Sequence, residues 1–306
     1  MKDASEPPRV LLVGGTGGLL GRAVLPEFSN SYRIRSVHRN PVALETTAGV
    51  EWLPLDAGRF RDWRPVLEGV DVVVTLAWYR WGNRTKFRKL YEGYHALLEA
   101  AVRARVPRFL HVSVPAAPEA MEARLPYLTY KRRFDRELTE SGLSYRILRP
   151  TMLFGPKDRL ITVMLRMMRR YGILPMFGEG SYHVSPVAAD DVAHLLRQEA
   201  DGTTVGTLDV GGPVRYTYRA LTDRMFESLR RPPRYWRMGR ASSLALAQIL
   251  QDMGSSLLYT YEVDWLLSDR LGLPALEGLD RPMLRVEPFL EQEAARLDSK
   301  VKRRPG

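Results

Sequence analysis

The sequence predicts an α/β fold in which a doubly wound parallel sheet is followed by a smaller, mainly helical C-terminal part. Two observations lead to this prediction. Short apolar runs alternate with helix-compatible stretches through the first half of the chain, which is typical of βαβ units. The first run, Arg9–Val13, leads directly into a glycine-rich turn and a helix-compatible stretch. We therefore expect a sheet that is covered by helices on both faces.

The composition is that of an ordinary globular protein. Of the 306 residues, 45% are hydrophobic and 26% are charged, enough to form a large core. The absence of cysteine excludes disulfides, thiolate metal sites and cysteine nucleophiles, and we expect no metal site. Met1–Pro8 is polar and unlike a targeting peptide, and no run of about 18 apolar residues occurs. We expect a cytoplasmic protein without a transmembrane span, and peripheral attachment to a membrane or a larger complex stays open.

The net charge of +11 favours anionic partners such as phosphorylated cofactors, nucleic acid or acidic lipid head groups. The densest basic clusters are Arg166 with Arg169 and Arg170, Lys131–Arg133, and the tail from Lys300 to Arg304. A solvated face is the simpler interpretation of each cluster. Zinc-finger spacing and a basic region with heptads are both absent, so we do not expect nucleic-acid binding.

The elements follow in order along the chain. Strands are predicted at Arg9–Val13, Arg33–Val37, Val50–Leu53, Val70–Leu76, Arg108–Val114, Ser144–Leu148 and Val205–Val210. Helices are predicted at Arg84–Val106, Tyr127–Glu140 and Ile161–Tyr171, with mainly helical sequence from Tyr218 onward. Because Val70–Leu76 is the most apolar strand, we expect it near the centre of the sheet.

These elements predict two domains. Residues 8–150 form a dinucleotide-binding domain, to which residues 184–212 return. Residues 151–183 and 213–306 form a smaller domain on the substrate side.

The glycine turn predicts a phosphate-binding site. Gly15, Gly18 and Gly21 lie three residues apart. The first permits the tight turn, the second lets a pyrophosphate approach the backbone, and the third lets the helix pack closely on the strand. We expect the backbone at Leu19 and Leu20 to face the phosphates at the helix start, with the Thr16 hydroxyl beside them. An ordinary glycine-rich loop is the alternative.

The ends of the second and third strands indicate which dinucleotide would bind. The second strand is followed by His38 and Arg39, where an NAD-selective site would place an acid. A guanidinium chelates a 2′-phosphate, so Arg39, helped by His38 or Arg35, favours NADP(H) over NAD(H). Asp56 follows the third strand and is a candidate for the adenine amino group. The alternatives are an exposed arginine without a ligand and an aspartate that caps a turn.

Tyr127 and Lys131 are the candidate catalytic pair. Their spacing of four places them on one helix face. An ammonium near the phenol lowers the phenol pKa, and the tyrosine can then exchange a proton with a substrate while hydride moves to or from a nicotinamide. A purely structural pair is the alternative.

An apolar substrate pocket could be lined by the aromatic residues that follow the fourth strand, Trp78, Tyr79 and Trp81, or these residues could pack beneath a lid. The stripe Met164, Met167 and Met168 is more typical of a core than of a lipid surface.

Taken together, these residues resemble the short-chain dehydrogenase/reductase superfamily in its extended and atypical branches. The resemblance includes Gly15-x-x-Gly18-x-x-Gly21, Asp56, Ala77, Ser113, Tyr127-x-x-x-Lys131 and Leu148-Arg149-Pro150. It implies a Rossmann-type sheet, a nicotinamide cofactor contacted by Ala77 and Pro150, Tyr127 as acid/base, and Lys131 on the nicotinamide ribose. Ser113 aligns with the first of the family's hydroxyl residues. Pro115 stands at the catalytic position and cannot donate a hydrogen bond.

The C-terminal half resembles the NADPH-binding accessory subunit of respiratory complex I and its bacterial relatives. The similar stretches are Tyr261–Asp269, Leu271–Pro274 and the region around Pro288–Leu290. In that branch the nucleotide can be structural. We therefore expect an NADP-dependent oxidoreductase acting on a small apolar carbonyl or hydroxyl compound, with an epimerase as a variant. A non-catalytic NADPH-binding accessory or assembly protein of a membrane complex is the alternative, and the resemblance is compatible with a homodimer.

Overall fold

The computed structural model describes residues 6–40, 49–76, 78, 82–253 and 260–302. The chain divides into two compact units. The first comprises Met1–Val114, Pro118–Pro150 and Ala189–Asp209, and the second comprises Pro115–Ala117, Thr151–Ala188 and Val210–Gly306. The assignment of cofactor and substrate domains within the chain stays a prediction.

The bounds of the elements are as follows. The strands are β1 (Arg9–Val13), β2 (Arg33–Val37), β3 (Val50–Leu53), β4 (Val72–Thr75), β5 (Arg108–Val112), β6 (Tyr145–Pro150), β7 (Leu153–Phe154), β8 (Leu174–Phe177), β9 (His183–Val184), β10 (Val187–Ala188), β11 (Gly206–Val210), β12 (Tyr216–Thr217) and β13 (Tyr235–Met238). The helices are α1 (Leu19–Ser29), α2 (Arg84–Ala104), α3 (Glu119–Arg124), α4 (Pro126–Glu140), α5 (Arg159–Tyr171), α6 (Ala189–Asp201), α7 (Tyr218–Ser228), α8 (Arg240–Asp252), α9 (Thr260–Leu266) and α10 (Val286–Lys302).

The first unit is built on a seven-stranded sheet in the order β11-β6-β5-β4-β1-β2-β3. The pairings among β1 to β6 are parallel. The strand order reverses between β1 and β4, so their carboxyl ends open the crevice where doubly wound sheets bind ligands. This confirms the predicted fold class. The apolar fourth strand is central, and all of its residues are buried.

Helices cover this sheet in two packed pairs. Helix α1 packs against α6, and α2 packs against α4. Because βαβ crossovers are right-handed, helices that follow β1 and β4 in opposite directions along the sheet lie on opposite faces. The core on the α2 and α4 side contains fully buried aromatic side chains, among them Trp63, Tyr94, Phe109 and Phe134. Phe134 of α4 packs against the Tyr94 and Phe109 rings, so this core helps to position the helix that carries the candidate catalytic pair.

The second unit has its own core and only short strand pairs. Strand β10 pairs with β7, β12 with β9, and β13 with β8. Helices α5, α7 and α10 pack together around a core that includes Met164 and Met168, so these two methionines are core residues. Helix α5 begins two residues earlier than predicted because the Asp158 carboxylate accepts the N–H groups of Leu160 and Ile161. In the described ranges, no helix is long and apolar enough to cross a membrane.

Candidate nucleotide-binding site

The glycine turn forms a tight reversal at the carboxyl end of β1. Gly14 and Gly15 have φ angles of 67° and 70°, in the left-handed region that favours glycine. The Gly14 N–H donates to the Val37 carbonyl at 3.0 Å, and the Gly18 N–H donates to the Gly15 carbonyl at 2.7 Å. The turn is thus attached to the end of β2 and closed on itself.

Gly18 and Gly21 pack directly against the backbone of this turn. A Cβ atom on Gly21 would lie 2.2 Å from the Gly15 oxygen and 2.3 Å from the Thr16 Cα. A Cβ atom on Gly18 would lie 3.0 Å from the same oxygen. These close approaches bring α1 against the turn, as expected for a glycine that lets a helix lie close to a strand.

The amino end of α1 suits a phosphate group. The helix begins at Leu19, and Gly18 in the cap position offers no side chain to the first N–H groups. The first turn, Leu19 to Arg22, contains no acidic residue, so the partial positive charge of the helix end is available to an anion. Thr16 is 1% exposed, and its hydroxyl accepts a hydrogen bond of 3.4 Å from Ser36 at the end of β2.

Two cations lie near each other beyond the carboxyl end of β2: Arg39, which follows the strand, and Lys86, at the start of α2. His38 accepts the Asn40 N–H on Nδ1 at 3.1 Å, and Arg39 is exposed. Burial and the positive charge of Arg39 both lower the pKa of Lys86 in the first turn of α2. Arg39 and Lys86 are therefore close enough to repel each other. Lys86 was not predicted from the sequence, because no motif marks a lysine that comes near Arg39 from a distant helix.

The side chains of Arg35 and Asp56 form hydrogen bonds within the protein. The Arg35 guanidinium donates to a Glu51 carboxylate oxygen at 2.8 Å and to the Val66 carbonyl at 2.7 Å. An Asp56 carboxylate oxygen accepts the Gly58 N–H at 2.9 Å, the turn-capping arrangement. A role for Asp56 at adenine stays a prediction.

Helix α4 brings Tyr127 and Lys131 to the carboxyl ends of β4 and β5. Tyr127 is half-buried, and its ring meets the Phe87 ring edge-on with centroids 5.8 Å apart. Lys131 is 2% exposed. Its Nζ donates to the Val112 carbonyl at 3.0 Å and lies 4.8 Å from the centroid of the Trp78 ring. Burial lowers the pKa of Lys131 to about 7.

Ser113 belongs to a buried charged cluster that the sequence analysis did not predict. Its hydroxyl donates to Asp135 at 2.9 Å, and Arg132 and Arg149 donate to the same carboxylate oxygen at 2.7 and 3.2 Å. Burial alone would raise the pKa of Asp135, but the neighbouring His111, Arg132 and Arg149 hold it below its ordinary value. Ser113 therefore points into the protein. The signal for this cluster was weak, since charged residues on a helix are usually exposed.

His111 connects this cluster to β4. Its Nδ1 lies 2.6 Å from the Thr75 hydroxyl, and its Nε2 lies 3.4 Å from the second Asp135 carboxylate oxygen. Burial and the charge of Lys131 lower the pKa of His111 to about 3, so the ring is neutral at pH 7. The cluster therefore connects the end of β5 to β4 and α4.

The remaining predicted residues are placed as follows. Pro150 is buried at the end of β6. Ala77, Tyr79 and Trp81 lie outside the described residues. Trp78 packs edge-on against Tyr94 with ring centroids 5.8 Å apart, and its buried Nε1 has no hydrogen-bond partner in the part of the chain that the structure describes.

These features fit a dinucleotide. The compact glycine turn would admit a pyrophosphate at the start of α1. The Trp78 N–H beside Lys131 is a donor that a bound group can satisfy. Each of these residues belongs to the first unit.

A family model described as NAD(P)H-binding matches residues 14–198, more than half of the chain, and the chain belongs to this family. Two curated relatives are similar to this chain, and the first is a subunit of NADH dehydrogenase. Mitochondrial NADH dehydrogenase (ubiquinone) 1 alpha subcomplex subunit 9 of Arabidopsis thaliana is 26% identical over 191 residues, which are 60% of this chain and 47% of that protein. The photosystem II assembly factor Ycf39 of Trieres chinensis is 26% identical over 143 residues, 46% of this chain and 44% of that protein. The matches therefore span about half the length of these relatives.

Solved structures share the fold. The NADPH-dependent quinone oxidoreductase of Escherichia coli in complex with NADPH has a TM-score of 0.72 at 15% identity, covering 94% of this chain and 99% of that one. The UDP-glucuronic acid 4-epimerase of Bacillus cereus in complex with NAD has a TM-score of 0.67 at 16% identity, covering 95% and 99%. These structures show the fold alone, and the family model confirms the resemblance to NAD(P)-binding proteins.

Proposed function

We propose that this protein is an NADP(H)-dependent oxidoreductase of the extended or atypical short-chain type, acting on a small apolar carbonyl or hydroxyl compound. The observation that carries the NADP(H) preference is the pair of cations formed by Arg39, after β2, and Lys86, at the start of α2. Burial and the positive charge of Arg39 both lower the pKa of Lys86, so the two cations lie near each other. A 2′-phosphate would interact favourably with both, whereas the 2′-hydroxyl of NAD(H) carries no charge.

The proposed chemistry divides between nucleotide and protein. When bound, the nucleotide supplies or accepts a hydride. Tyr127 gives a proton to the substrate oxygen during reduction and takes it back during oxidation. Lys131 lies one helical turn from Tyr127, so its ammonium would hold the nicotinamide ribose and favour the tyrosinate. The half-buried position of Tyr127 supports this role, because a substrate oxygen must reach its hydroxyl.

The test is a titration of nucleotide-stripped protein with NADPH and NADH in parallel, followed by nucleotide fluorescence. We expect tighter binding of NADPH, and we expect Arg39→Gln and Lys86→Gln each to weaken NADPH binding by about 10-fold, since each removes a charge-assisted hydrogen bond. Affinity for NADH should hardly change. Arg88→Gln is the matched control, because Arg88 is an exposed cation of the same helix that pairs with Glu92. Equal affinity for both nucleotides in the wild type would contradict the proposal.

A second candidate function is that of a non-catalytic NADPH-binding accessory or assembly protein of a membrane complex. Its support is the Ser113 hydroxyl, which donates to buried Asp135, together with Pro115 at the position of the family's catalytic hydroxyl. Both curated relatives carry names of this kind, a subunit of NADH dehydrogenase and a photosystem assembly factor. In this candidate the nucleotide stabilises the fold without turning over.

Turnover separates the two candidates. Bound NADPH is mixed with a panel of apolar aldehydes, ketones and quinones, and its absorbance is followed. Oxidation that Tyr127→Phe slows by at least 10-fold, with NADPH affinity unchanged, supports the enzyme. Tight NADPH binding without oxidation by any member of the panel supports the accessory role.

A further inference from the structure

One stretch of the second unit concentrates positive charge at the surface. Ser228–Gln251 contains five arginines and no aspartate, glutamate or lysine. The arginines are Arg230, Arg231, Arg234, Arg237 and Arg240, and all five are exposed. The next acids along the chain are Glu227 before the stretch and Asp252 after it. The stretch therefore has a local charge of +5.

Strand β13 presents an aromatic side chain amid this charge. Tyr235 faces the unit's core, because its ring lies 5.6 Å from the Phe226 ring and its hydroxyl donates to Asp223. The next residue, Trp236, is 56% exposed. In the parallel pairing of β13 with β8, Trp236 lies opposite Pro175.

Exposed apolar side chains also occur in the segments that follow β13 and precede β8 in the chain. Helix α8 follows β13 after Gly239, and along it Ala245, Ile249 and Met253 recur every four residues on one exposed face. Ile249 is 56% exposed and Met253 is 77% exposed. Just before β8, Tyr171 is 67% exposed and its ring carries the Arg170 guanidinium at 5.7 Å.

We propose that this arginine–tryptophan surface, formed by residues 230–240 and the exposed face of α8, binds the surface of an anionic lipid bilayer. Tryptophan and tyrosine favour the interface between head groups and acyl chains, where arginines meet lipid phosphates. Exposed aliphatic side chains such as Ile249 and Met253 need an apolar phase as well. A polyanion such as nucleic acid would pair with the arginines and leave these side chains in water. An anionic lipid bilayer offers phosphates to the arginines and an apolar phase to the exposed apolar side chains.

The contacts of the arginines decide which of them to change. Arg240 pairs with the buried carboxylate of Asp264 at 2.9 Å, so its replacement would disturb the fold. Arg237 pairs with Glu179 at 3.3 Å, and both side chains are more than half exposed. The test variant is R230Q/R234Q/R237Q. The control is R64Q/R103Q/R136Q, which removes the same charge from exposed positions of the first unit.

The experiment is vesicle flotation of the full chain with phosphatidylcholine alone and with about one third phosphatidylglycerol, at low and high salt. We expect binding to the anionic vesicles only, weaker at high salt. The triple variant should lower the partition coefficient by at least 10-fold, W236A should lower it several-fold, and the control triple should bind like the wild type. Thermal unfolding monitored by circular dichroism verifies that each variant is folded.

Two outcomes would overturn the inference. One is unchanged partition of the folded triple variant on anionic vesicles. The other is a pattern in which W236A binds like the wild type while soluble heparin competes fully, which would indicate a polyanion site. The test does not depend on the proposed nucleotide chemistry, because NADPH titration of the same preparations reports separately on the first unit.

Discussion

Lys131 is the residue with the least ordinary environment in the candidate site. Its ammonium is held by the Val112 carbonyl and the Trp78 ring. Burial is the largest cause of its lowered pKa, and the positive charge of Arg132 adds to it, while Asp135 acts in the opposite direction. The lysine therefore changes charge near neutral pH. A bound nucleotide with negative phosphates would favour the charged form.

This pKa predicts that stability rises with pH above neutrality. The folded protein releases the Lys131 proton near pH 7, whereas the unfolded chain keeps it until about pH 10.5. Between these values the unfolded state binds more protons, so the free energy of unfolding rises by up to about 1.4 kcal/mol per pH unit. Urea unfolding of nucleotide-free protein from below pH 7 to about pH 9.5 measures this slope.

Lys131→Met should remove most of that slope, because the methionine fills the same space without a proton to release. Lys89→Met, which changes an exposed lysine of α2, should leave the slope unaltered. An unchanged slope in Lys131→Met would show that this lysine does not titrate near neutral pH in the folded protein.

At the scale of elements, the conformation of the glycine turn and the packing of α1 depend on each other. The amino end of the helix can approach the turn only because Gly18 and Gly21 lack a Cβ atom. The same approach aligns the first N–H groups of the helix toward the end of β1. Nucleotide binding and the packing of α1 should therefore be lost together.

Gly21→Ala tests this coupling. The new Cβ would meet backbone atoms at 2.2 and 2.3 Å, and backbone cannot rotate away as a side chain does. We expect destabilisation of about 1–3 kcal/mol and a loss of NADPH affinity of at least 10-fold. Gly202→Ala is the control, since its Cβ would meet neighbours only at ordinary contact distances of 3.5 Å or more. Wild-type affinity in Gly21→Ala would contradict the close-approach argument.

The sheet was predictable from sequence because its strands are buried apolar runs. The bounds of β1, β2 and β3 agree with the prediction, and those of β4, β5 and β6 differ by one or two residues at their ends. Strand β13 was not predicted: it follows two prolines within basic sequence and exists because it pairs with β8. Pairing between distant segments leaves no periodic signal in so short a strand.

The site was predictable only in part, for a related reason. The glycine turn is local, so its spacing revealed it. The orientation of Ser113 depends on Asp135, Arg132 and Arg149, which come from two other elements. Lys86 likewise approaches Arg39 from the start of a different helix. Such groups become visible only when tertiary structure brings them together.

At the scale of the whole molecule, the first unit depends on a segment that returns late in the sequence. Helix α6 packs against α1, and its Glu199 carboxylate pairs with Arg108 and Arg146, both at 3.1 Å. Arg108 also donates to the Glu199 carbonyl at 2.9 Å. These guanidinium groups are largely buried, so the glutamate compensates charges that belong to β5 and β6.

Glu199→Ala should therefore destabilise the protein by about 3–5 kcal/mol, because it leaves buried guanidinium groups without their anion. Urea unfolding provides the measurement, and Glu140→Ala, at the exposed end of α4, is the control. The triple variant Arg108→Met/Arg146→Met/Glu199→Met should recover much of the loss, because it replaces all three charges with apolar contact. If Glu199→Ala unfolds like the wild type, the returning segment does not stabilise the sheet through this carboxylate.

The late return of β11 also has a consequence during synthesis. Strand β6 has β5 on one side, and its other edge is covered by β11. The 55 residues from 151 to 205 separate these two strands in sequence. At ~5–20 residues per second, a ribosome needs roughly 3–11 seconds to make them. Throughout that interval a nascent chain with a nearly complete sheet exposes an open edge, the template on which strands of other chains can add. Slower translation over residues 151–205 should therefore increase aggregation of the newly made protein.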